Sequence, residues 1–314
     1  FVNGIPLAVV ECKLGGPNCA NPMHEAFVQL QRYRNAREAT KEAGLKEGEP
    51  RLFHTNFLLL RTSGAEADFG SITSGEEHFY AWKTLWPEDD RAAASMNPQQ
   101  RLVQGLLTKE SLLRLLRTCS VFMDTDSGQR IKVVARYQQY RAACKIAQRL
   151  RKGETPTARS GVVWHTQGSG KSLTMVVLAM KMRRDPQMRE YKLVFLTDRT
   201  QLDSQLTATF RGAQGETVYH AKSVAHLKEL LAKDSSDLVT AMVQKFQESA
   251  DDFDFQELNP SDKIVVLADE AHRTQYGTLG AAINTARPNA PKIAFTGTPL
   301  IKTRKTSNEF GTYI

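Results

Sequence analysis

The sequence predicts an α/β protein, with a parallel-sheet phosphate-loop lobe behind a smaller α/β segment. Three observations predict it. From about residue 131, short apolar runs alternate with helical stretches. The loop HTQGSGKS, residues 165–172, lies between a predicted strand and a predicted helix. Ahead of both, residues 1–92 mix strands with one helix and close on the Pro and acidic run of AWKTLWPEDD.

The elements follow in chain order. FVNGIPLAVVECK reads as strand, turn and strand, and GIPLAVVECK is its main strand. His24 to Arg37 is expected to be a helix, because Phe27, Leu30 and Tyr33 fall near helical spacing. LFHTNFLLLRT and ADFGSITS are strand-like, with Gly and Ser between them. Residues 93–130 are expected to form a helical connector, in which Thr108 caps the amphipathic TKESLLRLLRTC. In the lobe of residues 131–314, GVVWH, KLVFLTD, KIVVLADE and KIAFTGTP read as buried parallel strands covered by helices. Each run ends in polar residues, at the edge where open parallel sheets bind ligands.

Bulk properties narrow the classes. At 314 residues the chain is long enough for two modest domains. It contains no run of about 18 apolar residues, so no membrane span is expected. No signal peptide is expected either, and with no initiator Met the chain is expected to begin inside a domain. A net charge of +8, from 42 basic and 34 acidic residues, suits a polyanionic partner. Cys12, Cys19, Cys119 and Cys144 form no CxxC pair and read as free thiols in a reducing cytoplasm.

HTQGSGKS carries the clearest chemistry. Glycines at 168 and 170 let backbone amides of the loop, with Thr166 and Ser169, approach a phosphate chain at a helix N-terminus. Lys171 is expected to reach the β- and γ-phosphates of ATP, and Ser172 to ligate Mg²⁺. The generic motif begins with Gly, and His165 stands there instead. In LADEAH, Asp269 ends a strand and is expected to hold Mg²⁺ through water, while Glu270 orients and deprotonates the attacking water. Thr296 and Thr298 of TGTP could link the nucleotide site to a bound strand. In RYQQY, Gln139 could read an adenine edge with support from Arg136, or this could be a solvated helix face. At the front, Glu11 and Lys13 sit two apart on a strand and so share a face. A carboxylate can hold Mg²⁺, and a lysine beside it can activate water or stabilise phosphate charge. An exposed strand edge is the other reading.

Taken in order, RYQQY, HTQGSGKS, LTDRTQLDSQL, DEAH and TGTP resemble the motifs of superfamily 2 helicases and translocases. That resemblance implies a RecA-like motor lobe. It implies backbone contacts to nucleic acid from Arg199 and the tip of KLVFLT, and from QKF around Lys245, with the threonine that often precedes QKF standing at Thr240. The front segment resembles the PD-(D/E)xK nuclease domain of type I restriction enzyme motor subunits, through ECK followed by Gln29 and Tyr33 of a Q-x-x-x-Y helix. FLLLRTSGAEADFGSITS, FYAWK and WHTQGSGKSLTM extend it over nearly the whole chain, and His165 fits this branch.

The resemblance implies ATP-dependent translocation on double-stranded DNA coupled to Mg²⁺-dependent cleavage, with separate methylation and specificity subunits as partners and no membrane. It departs in one place. The metal-binding aspartate of such nucleases lies upstream of the E-x-K strand, and none of the ten residues before Glu11 is acidic. A second motor lobe, which supplies arginines to the ATP site, is expected to be missing. Two rivals stand: a helicase or remodeller with a non-cleaving front domain, and a scaffold that binds ATP without turnover.

Overall fold

The computed structural model describes residues 1–17, 19–37, 43–87, 90–125, 127–166, 168–197, 203–204, 206–210, 217–242, 260–269, 285–297 and 312–314. The contacts divide the chain into two units, Phe1–Tyr137 and Gln138–Ile314. Both are α/β, and the second contains the expected parallel sheet.

In the first unit, β1 (Ala8–Cys12) pairs in parallel with β2 (Leu58–Thr62), which pairs antiparallel with β3 (Ala67–Gly70). A turn with Asn3 and Gly4 at positive φ precedes β1. Helix α1 (Pro22–Tyr33) starts where Asn21 Oδ1 accepts the His24 amide and Pro22 takes the first turn. It buries Met23, Ala26 and Leu30, a stripe at helical spacing. Leu30 packs with Phe53, Leu59 and Phe79, and Val9, Phe27 and Ile72 close the cluster. Alternation along the strands therefore puts Glu11, two after Val9, and Arg61, two after Leu59, on this same face.

Residues expected to form a connector build α2 (Pro98–Leu107) and α3 (Lys109–Thr118). Asn97 and Gln100 form a reciprocal capping box on α2. Thr108 stands at the N-cap of α3 as expected, but makes no side-chain capping bond. A hairpin of β4 (Ser120–Asp124) and β5 (Arg130–Val134) follows, and the contacts group all of these with the first unit.

α4 (Tyr137–Lys152) starts on the last residue of the first unit and belongs from Gln138 onward to the second. The sheet of the second unit is parallel throughout, in the order β6-β11-β10-β7-β9-β8. The four runs read from the sequence are β6 (Gly161–Trp164), β7 (Lys192–Thr197), β10 (Ile264–Asp269) and β11 (Lys292–Thr296). β8 (Val218–His220) and β9 (Leu238–Met242) extend the sheet beyond them. α5 (Lys171–Arg183) and α6 (Val224–Ala232) follow β6 and β8. α5 is buried on almost every side from Thr174 to Met180, which explains its continuous apolar sequence. Among the described residues, no helix is long and apolar enough to cross a membrane, and the four cysteines are free.

Candidate functional site

The loop after β6 turns through two left-handed glycines, Gly168 at φ 78° and Gly170 at φ 82°. Open space lies where a Cβ of Gly168 would stand, with no atom within 4 Å. At Gly170 a Cβ would collide with Gln139 Nε2. The first glycine thus keeps the loop approachable, and the second lets α4 pack against it. The loop is fastened by the Ser169 amide donating to the Thr166 carbonyl at 3.1 Å, and by Thr174 Oγ1 donating to the Gly170 carbonyl at 3.2 Å.

Lys171, the first residue of α5, is buried. Ser169 Oγ and His165 Nδ1 are also buried, and neither has a hydrogen-bond partner among the described residues. Native interiors seldom leave such groups unsatisfied, so they mark a place for an incoming polar group. Burial, and then the charge of Lys171, hold the His165 imidazole below its ordinary range.

Asp269 ends β10 fully buried, level with Phe295 of β11. On the other side of β11, Thr296 lies level with Trp164. One strand therefore separates the phosphate-loop strand from that of Asp269, a distance of roughly 10 Å at ordinary strand spacing. This suits a phosphate chain with a hydrated cation against the aspartate. Glu270, Arg199, Lys245 and Thr298 lie outside the described residues.

The two RYQQY residues separate. Gln139 is 2% exposed, so it is not part of a solvated face. Its Nε2 donates to the carbonyls of Ser169 at 3.0 Å and Gly170 at 3.4 Å. Arg136 instead belongs to the first unit. Its guanidinium carbon lies 3.7 Å from the centre of the Tyr80 ring, and Nη2 donates to Tyr80 Oη at 2.5 Å.

In the first unit, Glu11 is almost fully buried near the end of β1. Lys13 Nζ lies 3.4 Å from Glu11 Oε1, and Tyr33 Oη donates to Glu11 Oε2 at 3.0 Å. Burial, and then this bond to the carboxylate, push the Tyr33 hydroxyl up, while a hydrogen bond with Gln29 pulls it down. Of the α1 residues, Tyr33 thus meets the E-x-K strand, and Gln29 reaches it only through Tyr33. Among the described residues, no three His, Cys, Asp or Glu side chains converge to hold a metal ion.

A network that the sequence reading missed lies one strand over. Arg61, level with Glu11 on one side and Asp68 on the other, grips both Asp68 oxygens at 2.8 and 3.1 Å. Its Nη1 donates to Glu76 Oε1 at 2.5 Å and to the Met23 carbonyl at 3.0 Å. The guanidinium lies 4.7 Å from the centre of the Phe79 ring, and His24 Nδ1 meets Glu76 Oε2 at 2.8 Å. An arginine inside the apolar run LLLRT was the available signal, since such residues are seldom buried without partners.

A glycine-cradled loop opening a helix, on a parallel sheet whose strand tips carry a buried aspartate, defines a phosphate-loop nucleotide-binding lobe. The chain belongs to the SWI2/SNF2 ATPase family, whose model matches residues 138–314, and its residues 1–89 match the type I restriction enzyme R protein N terminus (HSDR_N). It is 34% identical to the putative type I restriction enzyme MjaIXP endonuclease subunit of Methanocaldococcus jannaschii, over 100% of this chain and 30% of that protein. The type I restriction enzyme HindI endonuclease subunit of Haemophilus influenzae is 33% identical, over 100% of this chain and 30% of that protein. The SsaAORF53P endonuclease subunit of Staphylococcus saprophyticus is 27% identical, over 95% of this chain and 29% of that protein. The chain spans about 30% of the length of these relatives. The family resemblance drawn from the sequence is thereby shown.

Proposed function

We propose that the chain is part of the motor and endonuclease subunit of a type I restriction enzyme. In this reading it couples ATP-dependent translocation on double-stranded DNA to Mg²⁺-dependent cleavage, in complex with methylation and specificity subunits. The observation that carries the reading is one chain holding two separate sites: the phosphate loop with Asp269, and Glu11 with Lys13 and Tyr33. ATP–Mg²⁺ would supply the phosphoryl chemistry. The described residues fit it through the open space beside Gly168, the buried Lys171, and the buried Ser169 hydroxyl with no partner among them.

Within the lobe, Lys171 would set positive charge against the transferring phosphate, Ser172 and Asp269 would hold the cation, and Glu270 would receive the proton of the attacking water. Arg199, Lys245, Thr296 and Thr298 would contact DNA or link it to the nucleotide, as the motif resemblance implies. In the front unit, Glu11 and Lys13 are the residues on which cleavage depends, and Gln29 and Tyr33 position Glu11. Positive charge on the chain favours a DNA partner, and the expected cytoplasmic setting agrees with the four free thiols.

The test is the Lys171→Ala variant of the full-length protein in its complex. DNA-stimulated ATP turnover should fall by about 10²-fold or more. Unchanged turnover in a folded variant would remove the phosphate loop from the mechanism.

A further inference from the structure

Trp164 closes β6, directly before the phosphate loop, and its side chain is 57% exposed while Val162 and Val163 beside it are buried. Packing alone therefore does not account for a tryptophan there. Its indole instead makes a specific bond. Nε1–H donates to the Gly297 carbonyl at 3.1 Å, and the next residue, His165, donates its amide to the Thr296 carbonyl at 3.0 Å. Two consecutive carbonyls of TGTP are thus held by two consecutive residues of the loop strand. The backbone bond continues the β6–β11 ladder, and any residue would make it. The indole bond reaches one residue past the end of that ladder, and only a side chain with a donor at that position can make it.

We propose that Trp164 is a positioning residue that fastens the TGTP segment to the phosphate loop, so that the state of the loop sets the position of the Thr296–Gly297 peptide. The loop begins at His165 and carries Gly168, Gly170 and Lys171. A shift of its first residue moves both bonds together. Trp164 acts through Thr296 and Gly297. This inference rests on the ATPase reading above.

The experiment compares Trp164→Phe with Trp164→His in the full-length protein. Phe keeps an aromatic ring and loses the donor. His places Nε2–H close to where indole Nε1–H stands. Trp164→Phe should lower kcat for DNA-stimulated ATP hydrolysis by about five-fold, the scale of one hydrogen bond, with KM for ATP changed less than about two-fold. Trp164→His should restore most of the loss. Wild-type kcat in Trp164→Phe would overturn the proposal, as would equal loss in both variants.

A second measurement needs no variant. The indole N–H of Trp164 should exchange slowly with solvent despite its exposed ring, and rapid exchange would also overturn the proposal. Lys171→Ala run alongside separates the two ideas. If Lys171→Ala hydrolyses ATP normally, the ATPase reading fails. If it is inactive while Trp164→Phe is normal, only the role of Trp164 fails.

Discussion

In the first unit, the charges at the ends of β1 and β2 are matched within the protein: Glu11 by Lys13 and Tyr33, and Arg61 by Asp68 and Glu76. At the phosphate loop of the second unit, the Ser169 hydroxyl and His165 Nδ1 are buried with no hydrogen-bond partner among the described residues. Both sites sit at the carboxyl ends of parallel strands. The charges of the one are met within the protein. The other holds buried polar groups with no partner among the described residues. Unmet buried polar groups suit a site whose state changes with its ligand.

The sharpest way to break this comparison is to unpair the front network. Arg61→Ala would leave the Asp68 carboxylate buried without its partner, at a cost of about 3–5 kcal/mol. Burial already pushes the Asp68 carboxyl up even with Arg61 upon it. Hydrogen exchange at the β2 amides should accelerate strongly in this variant. Unchanged protection would mean that the network adds nothing to the unit.

A smaller effect is expected at His165. Its folded imidazole titrates below the ordinary 6.5 because of burial and Lys171. Folding therefore disfavours the protonated form. The stability is intact above 6.5 and is lost as the pH falls from there through the lowered folded value. The Tm of the wild-type protein should fall relative to His165→Gln as the pH drops below 6.5. Parallel curves for the two proteins would contradict this placement of the imidazole.

Much of the second unit was legible because parallel strands buried on both faces read as continuous apolar runs. GVVWH, KLVFLTD, KIVVLADE and KIAFTGTP all became strands of one sheet. The phosphate loop was legible from its glycines. At the front, two-residue spacing put Glu11 and Lys13 on one face, whereas Gln29 and Tyr33 were named through the resemblance alone. β8 and β9 were not marked, since three residues of β8 and the Thr-containing LVTAM carry little periodicity.

What stayed hidden depends on distant partners. Lys192 starts a strand and looks like a solvated end. It is fully buried, held at about 8 by burial, and donates to the carbonyls of Leu230 at 2.5 Å and Lys233 at 2.7 Å. Nothing local marks carbonyls some forty residues ahead as its acceptors. Arg136 was placed with Gln139 because the two share a motif. Its aromatic partner Tyr80 lies 56 residues earlier. The target of the Trp164 indole, 133 residues later, was equally invisible.

The proposed division between a cleavage site at Glu11 and a motor site at the phosphate loop is tested most directly by Glu11→Gln in the full-length protein within the proposed complex. ATP turnover and strand scission should be measured in the same reaction on double-stranded DNA with Mg²⁺. The substitution keeps the volume of the side chain and removes its charge. DNA-stimulated ATP hydrolysis should stay within about two-fold of wild type, since Glu11 lies outside the nucleotide-binding unit, while scission falls by about 10²-fold or more. If turnover and scission fell together, or if scission persisted at the wild-type rate, the assignment of separate tasks to the two units would be contradicted.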